Sequence, residues 1–164
     1  MRNAQYWINH LGLLPHPEGG HFREVYRSDE IIRLDSLPDR FTGDRTFSTS
    51  IYFLLTKNEF STFHKINSDE LWHFYDGDPL TIYVIDNMGV LTVHKLGLFP
   101  DKGILPQVTI RANHWFASET TGNFSLVGCT VSPGFDFSDF EIAERQMLIS
   151  QFDEHRDIIE RYTR

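Results

Sequence analysis

The residues best suited to chemistry lie in the stretch FHKINSDELWHFYDGDPL, Phe63 to Leu80, which holds His64 and, six positions later, Glu70. An imidazole titrates near neutrality and can accept a proton, and a carboxylate beside it can orient the ring or act as conjugate acid. Aromatic and aliphatic neighbours would desolvate both groups, raising the carboxyl pKa and lowering that of the imidazole, while mutual pairing opposes both shifts. Three chemistries follow from the pair. It can do general acid–base work with His64 as the proton acceptor, it can contribute His64 and Glu70 to a divalent metal, or it can be a satisfied polar couple in a packed interior. His73 joins a metal set only through a bulge, since a regular strand turns it to the face opposite Glu70.

The elements that must position this pair read as strands. FSTFHKI and ELWHFY are separated by the turn residues Asn67, Ser68 and Asp69, so a tight turn would bring His64 and Glu70 together across adjacent strands. TSIYFLL, LTIYVID, VLTVHKL, QVTIRANHWFASE and FSLVGCTVSPGFDF are further β-branched and aromatic runs, punctuated by Gly, Pro and Asn. An alternating strand, FREVYRS, follows a Glu18-Gly19-Gly20 turn. Helical spacing is confined to the ends. Asn3 can cap NAQYWINHLGL with a stripe of Tyr6, Trp7, Leu11 and Leu14, and the tail from Phe140 carries Ile142, Met147, Leu148, Phe152, Ile158, Ile159 and Tyr162. Consecutive short strands with terminal helices predict a rolled-up antiparallel sheet over residues 1–164, taken as one domain.

Composition narrows the partners. Of 164 residues, 40% are apolar and 23% charged, as in ordinary globular proteins, but 14% are aromatic, including 14 Phe, which favours a barrel or sandwich interior. A formal charge of −8 argues against a nucleic-acid or anionic-membrane partner. Cys129 is the single cysteine, so no intramolecular disulfide can form, and its apolar setting predicts a buried, inert thiol. With no apolar run long enough for a membrane span, the expected location is cytoplasmic.

The spacing of His64, Glu70 and Gly77 resembles the first motif of the cupin superfamily, H-x-H, three or four residues, E, six residues, G. Asn58 stands where that motif begins with glycine and Ile66 where it has its second His. RANHWF, Arg111 to Phe116, is similar to the second motif, with Arg111 for Pro, Asn113 for Gly and Phe116 for the ligand His. A narrower resemblance, to an uncharacterised cupin family, is carried by PHPEGGHFREVYRS, SDELWHFYDGDPL and VSPGFDF, in that order along the chain.

The resemblance implies an all-β double-stranded β-helix, the cupin jelly roll of the rhamnose-epimerase type, with short terminal helices and a homodimeric assembly. By analogy with metal-independent deoxysugar epimerases of this fold, it also implies a small-molecule ligand and an isomerase or epimerase acting on a sugar-like substrate. In that reading His64 is the base, Glu70 its catalytic partner, and the pocket draws on Tyr52, Arg23, Glu18, Trp72, Phe116 and His73. No metal or other cofactor is required. A ligand-binding cupin without chemistry, and a metal-dependent enzyme using His64 and Glu70, are the alternatives.

Overall fold

The computed structural model describes residues 2–164. Helix α1 (Ala4–Leu11) starts where the Asn3 side chain accepts the Tyr6 backbone N–H at 2.9 Å. The strands follow as β1 (Leu14–Pro15), β2 (His21–Arg27), β3 (Ile31–Ile32), β4 (Arg45–Thr46), β5 (Thr49–Thr56), β6 (Phe60–Lys65) and β7 (Asp69–Gly77). After them come β8 (Leu80–Ile85), β9 (Leu91–Leu96), β10 (Gln107–Ile110), β11 (Trp115–Thr120), β12 (Phe124–Ser132) and β13 (Glu141–Ile142). Helices α2 (Arg145–Gln151) and α3 (Arg156–Arg161) complete the chain.

Two antiparallel sheets face each other. The first has the order β1-β2-β5-β12-β7-β10 and the second β13-β6-β11-β8-β9, which is the jelly-roll arrangement expected for the β-rich chain. Between them Phe53, Leu55, Trp72, Ile82, Leu96, Ile110, Phe116 and Val127 form the central core. The helices cap the outer faces. Ala4, Trp7, Ile8 and Leu11 pack on Leu54, Phe124 and Leu126 of the first sheet, while Leu148, Ile149, Phe152, Ile159 and Tyr162 cover Phe63, Ile85 and Trp115 of the second. Tyr6, Leu14, Ile142 and Met147, assigned to apolar stripes from spacing, are exposed instead. Helix α1 ends at Leu11, and the tail breaks into two short helices whose buried sides leave those positions out.

The topology corrects one expectation about the site. β6 and β7 are not hairpin partners: β6 belongs to the second sheet and β7 to the first, so the Ile66–Ser68 connection is a corner of the sandwich. A second corner divides QVTIRANHWFASE into β10 and β11, again one in each sheet. Asn113 sits in this corner at φ 63°, and Asn58, preceding β6, has φ 72°. Both stand where the cupin motifs have glycine, and asparagine is among the few residues that tolerate this left-handed conformation. Asparagine therefore supplies at both positions a backbone conformation that glycine adopts readily.

Candidate active site

Inside one end of the sandwich lies a cavity of ≈ 80 Å³, lined by residues of both sheets and of the segments entering and leaving them. Period-two alternation decides which side chains reach it. Across the first sheet the register runs Glu24, Ile51, Cys129 and Trp72, and the neighbouring inward row places Thr49, Val131 and Glu70 in line. All seven line the cavity. From the second sheet comes His64, opposite Phe116 on β11, with their ring centroids 4.1 Å apart.

Of the residues expected from sequence, the structure brings Glu18, His64, Glu70 and Trp72 to the cavity, and Phe116 supports it from behind His64. Arg23, Tyr52 and His73 require correction. They form one continuous cross-strand row, Arg23–Tyr52–Gly128–His73, which is offset by a single residue from the inward row and therefore faces outward. There Arg23 donates to the Leu11 carbonyl at 2.9 Å, and Tyr52 packs against Tyr75 with centroids 6.0 Å apart.

The polar heart of the site comes from an unexpected direction. Glu18 enters from the turn before β2 and lies with its Oε2 3.1 Å from His64 Nε2, while its Oε1 accepts the Ser61 hydroxyl at 2.8 Å. The turn must be tight to do this. Gly19 has φ 114°, and a Cβ there would lie 2.2 Å from the Phe60 carbonyl oxygen, so the two glycines permit the close approach that delivers Glu18. His16 stands beside it, with Nδ1 3.4 Å from Glu18 Oε2 and accepting the Glu18 backbone N–H at 3.3 Å. That bond places the proton of a neutral His16 on Nε2.

His64 has a determined tautomer. Its Nδ1 is 2.8 Å from the Thr62 carbonyl, which can only accept, so Nδ1 carries a proton. Nε2 then faces the Glu18 carboxyl, and two lone pairs cannot face each other at 3.1 Å without repulsion. One proton must occupy the gap, either as Glu18 O–H to neutral imidazole or as imidazolium to carboxylate. Burial lowers the pKa of His64, partly opposed by the Thr62 carbonyl and the Glu70 charge, and burial raises that of Glu18, opposed by His16, Ser61 and Arg164. Both shifts favour the form without net charge separation, and the proton belongs to the pair rather than to either member.

Glu70 faces the same cavity from the other sheet. Burial pushes its pKa up from 4.5 to about 7, with His64 pulling down and Glu18 pushing up. Cys129 is buried, and burial together with the Glu70 charge keeps its thiol protonated. It lines the cavity, and its burial agrees with the apolar setting read from the sequence.

The donor set does not fit a divalent metal. Ile66 and Phe116 bring hydrocarbon to the positions of two motif histidines, and both nitrogens of His64 are engaged by protein oxygens. Among the described residues no group of three or more His, Cys, Asp or Glu is arranged to hold a metal ion.

The mouth is aromatic. The segment after β12, read from FSLVGCTVSPGFDF as part of a strand run, instead turns through a short 3₁₀ helix (Phe137–Asp139) and lays Phe135, Phe137 and Phe140 along the cavity. A buried bidentate pair fastens it: Arg45 donates to both Asp139 oxygens, Nε at 2.7 Å and Nη2 at 2.6 Å. Arg27, paired with Glu24 and donating to the Phe135 carbonyl at 3.1 Å, forms the rim. Neither Glu18 nor this strap carries a periodicity signal. The Gly19-Gly20 pair after Glu18 is a mark in the sequence, whereas the pairing of Arg45 with Asp139, 94 positions apart, leaves none.

Comparison with known proteins agrees with this architecture. The family model described as Cupin superfamily (DUF985) matches residues 5–143. Among solved structures, a hypothetical protein from Leishmania major superimposes with a TM-score of 0.89 at 33% identity, over 99% of each chain. The protein SO0799 from Shewanella oneidensis gives 0.89 at 39% identity, over 100% of this chain and 99% of that one. The uncharacterized protein YML079W of Saccharomyces cerevisiae is 29% identical over 148 residues, covering 84% of this chain and 73% of the yeast protein.

Proposed function

The chain belongs to the cupin superfamily, in its DUF985 family, and from that premise we propose that it is a small-molecule enzyme that moves a proton beside a substrate carbonyl without a metal. The observation that carries this reading is the contact of Glu18 and His64 facing a cavity that also holds Glu70, whose pKa burial pushes up to about 7. The base is the pair. His64 alone has no free lone pair, but Glu18 keeps spare carboxyl lone pairs on the cavity side, and a second proton can be taken up to give Glu18 acid and His64 imidazolium.

The step balances. The C–H bond next to the carbonyl breaks, its proton goes to the Glu18–His64 pair, and its electrons form the enediol C=C bond. The carbonyl oxygen takes the proton of Glu70, which becomes a carboxylate facing the newly charged pair. Returning the pair's proton to the neighbouring carbon, while the Glu70 carboxylate takes the proton of the hydroxyl that becomes the new carbonyl, isomerises the substrate. Protonation of the original carbon on its other face by a water molecule, with Glu70 taking back the enediol O–H proton and the pair giving its proton to the hydroxide left behind, epimerises it. A group with a pKa near 7 is well matched to both halves of this cycle at neutral pH.

A sugar-like substrate, a single functional domain over 1–164, a cytoplasmic site of action and a homodimer complete the proposal. The dimer is supported by exposed Val25, Tyr26 and Tyr75 on strands of the first sheet; sedimentation at micromolar protein should give twice the chain mass, and a single-chain mass rejects it. No helix of the described residues is long and apolar enough to cross a membrane.

Solvent deuterium incorporation tests the chemistry. In D₂O the protein should place deuterium at the carbon next to the carbonyl of a small hydroxyketone such as dihydroxyacetone, and His64→Ala should abolish it. Wild-type protein that binds the compound but exchanges nothing would reduce the site to ligand binding.

A further inference from the structure

Four buried side-chain nitrogen or oxygen atoms lack a hydrogen-bond partner among the described residues, and only the indole Nε1 of Trp72 belongs to a residue that lines this cavity. Trp72 is 1% exposed, so its N–H has been removed from water as well. Such a donor is costly to bury unless something accepts from it. The Glu70 carboxyl is near enough for the indole to ease its ionisation slightly, yet no hydrogen bond of normal length and angle joins them.

We propose that the Trp72 indole N–H, together with the Glu70 carboxyl, receives the carbonyl oxygen of a short-chain hydroxycarbonyl compound of three or four carbons. The inference rests on the reading above for the carbonyl but not for the proton transfer. Two features converge on it. The first is polarity: the first-sheet wall offers the Trp72 N–H and, while it holds its proton, the Glu70 carboxyl as donors, and the opposite side offers the Glu18–His64 pair. A ligand whose oxygen accepts on one side and whose C–H or O–H meets the other fits that division.

The second feature is size. A cavity of ≈ 80 Å³ holds, at about 10–15 Å³ per ordered water, roughly five to eight water-sized groups. That matches a three- or four-carbon hydroxycarbonyl compound. A nucleotide-linked sugar would leave most of its atoms outside the Phe137 mouth. Trp72 is therefore a binding residue for the reacting oxygen, and its removal should be felt by ligands that carry a carbonyl.

The test uses ¹⁵N-labelled full-length protein and the indole ¹H–¹⁵N signals of Trp7, Trp72 and Trp115. The Trp72 signal is assigned by its loss in Trp72→Phe or, should that variant fold poorly, by elimination with Trp7→Phe and Trp115→Phe. Dihydroxyacetone should shift the Trp72 signal saturably, and glycerol, which replaces the carbonyl by CH–OH, should not. Folded Trp72→Phe should bind dihydroxyacetone roughly three- to tenfold more weakly, whereas His64→Ala should keep the Trp72 shift. Saturable binding that leaves the indole signal unmoved, an equal response to glycerol, or no binding at all would overturn the inference. A Trp72 shift without deuterium exchange would instead reject only the proposed proton transfer.

Discussion

Glu18 Oε2 and His64 Nε2 lie 3.1 Å apart although one residue comes from a glycine turn before β2 and the other from the C-terminal end of β6. This contact, more than the neighbouring Glu70, defines what the imidazole can do. The ring is pinned on its other side by the Thr62 carbonyl, so any proton it gains or loses is exchanged through Glu18.

Replacing Glu18 is therefore as damaging as replacing His64. Glu18→Gln keeps the shape and can donate an amide N–H to Nε2, but it cannot accept the substrate proton. Deuterium exchange into dihydroxyacetone should fall by about 10²–10⁴-fold, with the circular dichroism spectrum unchanged. Retention of wild-type exchange in this variant would leave the base unassigned to the pair.

Glu70 should make the protein less stable as the solution turns alkaline. Its folded-state pKa, about 7, lies above the ordinary value of 4.5, so the folded state binds the proton more tightly. The resulting stabilisation is complete below pH 4.5 and is lost as pH rises through about 7, a swing of roughly 3 kcal/mol at most for this fully buried group. Glu70→Gln, always neutral, should lose this pH dependence and exceed the wild type in urea-unfolding free energy at pH 8. Parallel wild-type and variant curves between pH 5 and 8 would show that Glu70 titrates normally. The same titration should shape activity, with an alkaline limb near pH 7 as the proton donor is lost.

The aromatic strap depends on one buried ion pair. Asp139→Asn leaves Arg45 partly uncompensated in a dry site, and breaking such a pair costs about 3–5 kcal/mol. Urea unfolding should register this loss, and ligand affinity should drop with it because Phe137 and Phe140 lose their anchor. A change below about 1 kcal/mol would mean the strap is held by its rings alone.

Restoring the missing histidines supplies a converse test. Ile66→His with Phe116→His rebuilds the motif positions around His64 and Glu70, and Glu18→Ala in the same chain frees His64 Nε2 for a metal. The triple variant should bind one Mn²⁺ or Zn²⁺ per chain by calorimetry, and the parent protein should show no stoichiometric binding. Tight one-to-one binding by the parent would contradict the account of its donor set.

Much of this molecule can be read from its residues, because period-two runs and turn residues specify strands locally. The antiparallel β architecture and the terminal helices follow from such signals, whereas the jelly-roll arrangement and the site positions of His64, Glu70 and Trp72 rest on the cupin resemblance. What could not be read is which strands face each other. Asn67-Ser68-Asp69 looks the same whether it closes a hairpin or turns a corner between sheets, and only long-range packing separates the two. For the same reason Arg23, Tyr52 and His73 were assigned to the pocket when a one-residue offset carries all three to the outside. Glu18 is expected in the pocket but not as the partner of His64, since nothing in PHPEGGHF reveals that its turn folds back onto Ser61 and His64.

The shared proton is best interrogated directly, through the side-chain ¹⁵N shifts of His64 followed from pH 5 to 9 in wild type and Glu18→Gln. Nδ1 should remain protonated throughout, and Nε2 should show the intermediate shift of a nitrogen sharing a proton, a signature that Glu18→Gln abolishes. A ring that titrates freely near pH 6.5, or one with its proton on Nε2 and none on Nδ1 regardless of residue 18, would contradict the account at its base.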